Sequence, residues 1–278
     1  MASNLNLDYL FEDPEEQNPS ALPDYATLDF VSNGSHIYGE IMWPSGTFAK
    51  PHPCVIMLHG FPGTARNDDI SHALCRIGCV VIVPHNRGAW GSQGKYLITN
   101  CIEDAQNLAE YAHSLEFTQK YNVDLSQIFL LGHSMGANSA LNAGRKLDWI
   151  GGIIMLTPYD PARYLNLNKA NYLRSLLEEG KILQSDGIDA IYDDIVNNQN
   201  ELSHPNAFEQ VKDKNLLVVG GTYDSVSPID QMIMPLWGKL EAHKTKAVQR
   251  RILVPTEHGL LGRRITVIKE IASFINEA

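Results

Sequence analysis

Ile128-Phe129-Leu130-Leu131-Gly132-His133-Ser134-Met135-Gly136-Ala137-Asn138-Ser139-Ala140-Leu141 is the stretch from which the rest of the chain can be read. Its four leading apolar residues predict a buried strand, and Ala137 to Leu147 has the spacing of a helix. Between them the backbone must turn sharply, and Gly132 and Gly136 flank a serine at that turn. A serine there adopts strained dihedrals, and small neighbours keep the backbone from colliding around it. Met135 opens the helix, so its N–H has no carbonyl one turn back and is free to donate to an anion. A plain glycine-rich strand-to-helix turn would show the same residues, so the meaning of Ser134 depends on what the other strands deliver.

On the N-terminal side, Tyr25 to Val31 and Ile37 to Trp43 read as strands joined by Ser32-Asn33-Gly34-Ser35, a turn sequence that tolerates positive φ. Cys54 to Leu58 and Cys79 to Val83 are short apolar runs with the helical segment Asp69 to Ile77 between them, stopped by Gly78. Ile102 to Tyr121 is expected to be one long helix. Beyond the quoted stretch come strand Ile153 to Leu156, strand Leu216 to Val219, helix Ile229 to Ala242, strand Arg251 to Val254 and helix Leu261 to Ile275. An antiparallel start followed by alternating strands and helices predicts an α/β fold, a mixed sheet with helices on both faces. Residues 158–215 break the rhythm with helical stretches at Tyr164 to Leu183 and Ile188 to Val196, so a helical insertion is expected there.

Residues 1–24 are polar and acidic and interrupted by Pro14, Pro19 and Pro23, which predicts an extended or partly disordered arm before a single domain over 25–278. With 22 basic against 32 acidic residues the chain carries a formal charge of −10, which argues against a nucleic-acid partner. The acidic N-terminus lacks the pattern of a secretory signal, and no window has the roughly 20 apolar residues of a membrane span. The expected location is the cytoplasm. The four cysteines, Cys54, Cys75, Cys79 and Cys101, are expected to be reduced and buried; the other reading is a Cys75/Cys79 metal or redox pair on one helix face. A homodimer is left open.

A serine hydroxyl is a weak nucleophile at neutral pH and needs a base held in the right tautomer. The strand ending at Val219 runs into Gly220-Gly221-Thr222-Tyr223-Asp224, and the strand ending at Val254 into Pro255-Thr256-Glu257-His258-Gly259. Functional groups in such sheets collect at the carboxyl ends of strands, where Ser134, Asp224 and His258 all fall. Taken singly, Asp224 reads equally as a turn aspartate and His258 as a solvated loop histidine. Asp230 is a rival acid, but it lies inside the following helix, farther from the strand end. Together the three types follow three separate strands in the order Ser, Asp, His. Phe61, in Leu58-His59-Gly60-Phe61-Pro62-Gly63, can offer a second N–H beside that of Met135 to form an oxyanion hole, whereas Pro62 has none to offer. His59 reads as a structural histidine. Trp90 and Tyr159 are candidates for a substrate pocket, although rings at such positions also simply pack, as can Tyr164, Tyr172 and Tyr192.

These motifs resemble the α/β-hydrolase superfamily, and within it the small esterases of feruloyl or cinnamoyl esterase type and the prolyl-oligopeptidase-like serine hydrolases. His59-Gly60-Phe61-Pro62-Gly63 is similar to their oxyanion loop, Gly132-His133-Ser134-Met135-Gly136 to their nucleophile elbow, and Asn86-Arg87-Gly88-Ala89-Trp90-Gly91-Ser92 to their Arg-Gly loop. Asn86 stands where an aspartate is usual, which implies that this loop is held differently. The resemblance runs from about Ala26 to Ile275. It implies a mostly parallel, eight-stranded sheet with residues 158–215 as a cap over Ser134, and a carboxylic ester hydrolase with no metal and no organic cofactor. The expected partner is a small-molecule ester. Two other readings stand beside it: a peptidase or amidase using the same triad, and a non-catalytic protein that uses the pocket to bind a small ligand.

Overall fold

The computed structural model describes residues 5–14 and 18–278. Its sheet has eight strands in the order β1-β2-β4-β3-β5-β6-β7-β8: β1 Asp24–Ser32, β2 Ser35–Trp43, β3 His52–Leu58, β4 Val80–Pro84, β5 Val123–His133, β6 Gly152–Leu156, β7 Leu216–Gly221 and β8 Gln249–Val254. β1 and β2 form the expected hairpin, with Asn33 and Gly34 both at positive φ, and β2 joins β4 antiparallel. The other pairings, β3 to β4, β3 to β5, and onward through β8, are parallel.

Parallel strands covered on both faces alternate their side chains between two apolar layers. Cys54, Ile56 and Leu58 of β3 face one layer, with helices α2 (Ile98–Ala112) and α4 (Met135–Gly144). Val55 and Met57 face the other, with α1 (Asp68–Ile77) and the C-terminal helix Arg264–Glu277. α1 stops where Gly78 takes up φ 119° and its N–H returns to the carbonyls of Leu74 and Cys75.

Three expectations are corrected. The helix expected over Ile102 to Tyr121 begins earlier and is two helices, α2 and α3 (Leu115–Tyr121), because Ser114 turns the chain and caps α3 by accepting from the Phe117 N–H. Ile229 to Ala242 is likewise split, into Ile229–Met232 and Met234–Glu241, with Pro235 in the first turn of the second. The N-terminal arm is no loose extension over its described part. Leu7–Leu10 is a 3-10 turn with Leu10 buried, the Asn6 N–H bonds the Ile77 carbonyl at 2.9 Å, and the Arg76 guanidinium grips the carbonyls of Tyr9 and Leu10. Acidic composition missed this because the ties run through main-chain carbonyls. Glu15 and Glu16, which contributed to that expectation, lie outside the described residues.

All four cysteines are free and buried, and Cys79 lies past the Gly78 stop, so it shares no helix face with Cys75. Burial raises all four thiols well above their ordinary value. Among the described residues no group of His, Cys, Asp and Glu could hold a metal ion, and no helix is long and apolar enough to cross a membrane.

Residues 158–215 form a chain of short helices: Arg163–Asn166, Ala170–Leu177, a 3-10 turn Glu178–Ile182, Ile188–Asn197, Gln199–Leu202 and Phe208–Val211. They lean on the loops at the carboxyl end of the sheet. The Gln184 N–H reaches the Gly88 carbonyl at 2.8 Å, and a Cβ on Gly180 would run into the Phe61 ring. Asp160 accepts the His204 N–H at 2.9 Å, and Asn138 donates to the Leu202 carbonyl at 2.6 Å.

Candidate active site

β5, β6, β7 and β8 are neighbours in the sheet, and the chain leaves their carboxyl ends through Ser134, Thr157, Asp224 and His258. Ser134 has φ 56° and ψ −119°, the strained conformation expected of a side chain thrust out of a strand-to-helix turn. The fit is tight enough to dictate both glycines. A Cβ on Gly132 would strike the Gly136 carbonyl, and one on Gly136 would strike the carbonyls of Leu58 and His59. The Ser134 amide stays tied to β6 through the Leu156 carbonyl at 2.9 Å.

The three candidate side chains meet. His258 Nε2 lies 2.9 Å from Ser134 Oγ, and His258 Nδ1 lies 2.8 Å from Asp224 Oδ2. A carboxylate accepts, so Nδ1 carries the proton and Nε2 is left to accept from the serine hydroxyl. The Asp224 side chain is fully buried. Burial pushes its carboxyl up, but the bonds from His258 and from the N–H groups of Ser227 and Val226 outweigh that, and the group sits below its ordinary value. Asp230 is exposed in the first turn of the helix Ile229–Met232, and the carboxylate on His258 Nδ1 is that of Asp224.

The loop after β3 lies against the elbow: a Cβ on Gly60 would be 3.1 Å from Ser134 Cβ. Among the described residues the Phe61 N–H donates no hydrogen bond. His59 holds this loop. Its Nδ1 donates to the Gly60 carbonyl at 2.8 Å and its Nε2 accepts the Asn86 N–H at 3.0 Å. Because a peptide is planar, pinning the Gly60 oxygen also fixes the direction of the Phe61 N–H. Burial drives the His59 pKa down to about 4, so the ring stays neutral and keeps both bonds. Asn86 thus serves through its backbone, and the following Arg87 is held by buried Asp104, Nε to Oδ1 at 3.1 Å.

The two expected pocket residues differ. Trp90 is 43% exposed and its indole N–H donates to the Pro62 carbonyl at 3.0 Å, which clamps the loop. Tyr159 is fully buried, its N–H bonds the Ser134 carbonyl at 3.1 Å, and its hydroxyl has no hydrogen-bond partner among the described residues. Its ring lies 5.9 Å from that of Tyr164, which in turn lies 4.6 Å from that of Tyr172.

Sequence reasoning passed over two residues here. His133 Nε2 is 3.0 Å from the main-chain oxygen of His258, and Thr157 Oγ1 is 2.9 Å from the same oxygen. Neither had a local signal, because their meeting depends on which strands are neighbours.

A profile of the α/β-hydrolase fold family matches residues 55–249. The chain belongs to that family. It is 31% identical over 155 residues to a probable phospholipase A1, magnifin, of Vespa magnifica, a match covering 49% of this chain and 43% of that protein. It is 25% identical over 173 residues to the esterase EstD of Thermotoga maritima, covering 56% of this chain and 39% of that protein. The matches thus span only about two-fifths of the length of these relatives. In three dimensions it is similar to Est1E of Butyrivibrio proteoclasticus, solved with ferulic acid bound, at a TM-score of 0.66 and 16% identity over 90% of this chain and 98% of that one. The last likeness is one of fold, the α/β-hydrolase fold expected from the elbow and its neighbouring strands.

Proposed function

We propose that this α/β-hydrolase-fold protein cleaves carboxylic esters of small molecules through an acyl-enzyme on Ser134. The observation that carries the reading is the unbroken line from Ser134 Oγ to His258 Nε2 at 2.9 Å and from His258 Nδ1 to Asp224 Oδ2 at 2.8 Å.

Ser134 Oγ attacks the ester carbonyl carbon while its proton passes to His258 Nε2. The imidazolium formed is stabilised by the buried Asp224 carboxylate, which is already ionised. The carbonyl oxygen takes up negative charge facing the amides of Phe61 and Met135; the second is also at a helix N-terminus, where the dipole favours an anion. Collapse expels the alcohol, which takes the proton from His258. Water then repeats the sequence and releases the acid. No step needs a metal or an organic cofactor. The names of the two relatives, a phospholipase and an esterase, both denote ester cleavage and support ester over amide substrates.

Fluorophosphonate labelling together with p-nitrophenyl acetate turnover tests this. Wild type is expected to label and turn over, and Ser134→Ala to do neither. Equal turnover by pure Ser134→Ala would overturn the role of Ser134, and a folded wild type that neither labels nor turns over would favour a non-catalytic ligand-binding protein. Faster cleavage of an anilide than of its matched ester would favour the peptidase reading.

A further inference from the structure

The triad uses the ends of β5, β7 and β8 and passes over β6, the strand between β5 and β7. What β6 delivers at the same rim is Thr157, fully buried and at φ 38°. A β-branched side chain is costly in that region of backbone space, where glycine or asparagine is accommodated far more easily. The strain coincides with a specific contact: the Thr157 hydroxyl donates to the main-chain oxygen of His258 at 2.9 Å. His133, the residue before the nucleophile, reaches that same oxygen through Nε2 at 3.0 Å. A carbonyl oxygen has two lone pairs and can only accept, so both donors are accommodated and His133 must carry its proton on Nε2.

We infer that His133 and Thr157 are positioning residues that hold the imidazole of His258 between Ser134 and Asp224 by gripping its main-chain carbonyl. The inference rests on the triad reading above. His258 stands in a loop past the end of β8; Glu257 braces that loop on itself through the N–H groups of Gly259 and Leu261, whereas the ties from His133 and Thr157 are the ones that join the His258 main chain to β5 and β6. The two donors come from β5 and β6, the strand that carries the nucleophile and its neighbour. They therefore set the base in the same frame as the serine it must serve. His133 is also suited by its charge state. Burial first, and then the neighbouring His258, push its pKa down to about 4 against the opposing pull of its own bond to the His258 carbonyl, with smaller contributions from Arg264 and Asp224, so a neutral ring faces the histidine that becomes charged during turnover. The two rings are 5.2 Å apart.

Thr157→Val keeps the shape and removes the donor, Thr157→Ser keeps the donor, and Thr157→Gly relieves the strain while losing the donor. His133→Phe and His133→Gln make the corresponding pair at the other tie. With a saturating p-nitrophenyl ester, Thr157→Val and His133→Phe should each lower kcat about tenfold with little change in KM, because misplacing a reacting group slows chemistry more than binding. Thr157→Ser and His133→Gln should recover most of the loss. Thr157→Gly, which removes the strain and the donor together, should show the same loss of kcat as Thr157→Val, because it is the donor and not the strain that holds the ring. The low-field proton resonance of the His258 to Asp224 hydrogen bond gives a readout independent of turnover: sharp in wild type and Thr157→Ser, broadened in Thr157→Val. Folded Thr157→Val and His133→Phe proteins with wild-type kcat and an unchanged resonance would overturn the inference. A wild type without labelling or turnover would instead overturn the hydrolase reading, and the resonance would still decide whether the ties hold the ring.

Discussion

The elbow and the helical insertion touch one another but are specified in different ways. Every residue from 128 to 144 is buried, and at Gly132 and Gly136 the backbone of neighbouring elements leaves no room for a Cβ. In the insertion, helices of four to ten residues alternate buried and exposed positions; buried Asp160 ties its two ends together through the Ala162 and His204 amides, and Asn138 of α4 ties it to the rest of the fold at the Leu202 carbonyl. In the elbow, then, backbone geometry selects the residue type; in the insertion only the apolar period is selected, and many sequences satisfy it.

Breaking each region should therefore give a different kind of loss. The largest effect is on chemistry: Ser134→Ala should lower kcat by about four orders of magnitude or more, with the melting temperature nearly unchanged, checked by ester turnover and calorimetry. Gly136→Ala should come next, because its methyl would meet the carbonyls of Leu58 and His59 rather than a side chain able to move. A loss of about 3 kcal/mol in denaturant unfolding is expected.

Acid should weaken both regions, because burial holds His204 of the insertion, like His59 and His133 at the elbow, below its ordinary value. His59 and His133 have pKa values near 4 when folded against 6.5 when exposed, so between those values the unfolded chain binds more protons than the folded one. Stability should be independent of these two groups above about pH 6.5 and fall as pH drops toward 4, by a few kcal/mol in all, on the order set by two such shifts. Urea titrations at pH 7 and pH 5 measure it together with the contributions of His52, His85 and His204, which burial also lowers; equal midpoints would mean that none of these rings is held neutral in the fold. Asp160→Ala, which strands the His204 and Ala162 amides, should cost about 2 kcal/mol and raise KM more than it lowers kcat. Smallest of all, Arg174→Ala at the exposed pair with Asp189 should leave turnover and melting within experimental error.

The same contrast explains what could be read from the sequence. Ser134, Asp224 and His258 were legible because each follows its own apolar run, and the order of those runs carries the geometry. The hairpin and the end of α1 were legible because Asn33, Gly34 and Gly78 take conformations that few other residues accept. The break at Ser114 was hidden inside a continuous apolar period, since a cap needs only one hydroxyl and leaves the pattern intact. His133 and Thr157 were invisible for a different reason: their common partner lies 125 and 101 residues away and is a main-chain atom, which has no residue type to notice. That Trp90 spends its N–H on the Pro62 carbonyl was hidden too, because a ring's chemistry says nothing about which acceptor it will meet.

Phe61 belongs to both regions at once. Its ring occupies the space left by the missing side chain of Gly180, while its amide lies on the loop packed against Ser134. Lifting the inserted helices to admit a bulky molecule would withdraw the support of that ring, and the peptide it carries would lose its aim. On the proposed hydrolase reading, a substrate slim enough to leave residue 180 undisturbed would meet a finished site, and a broader one would be cleaved only once the helices had settled back.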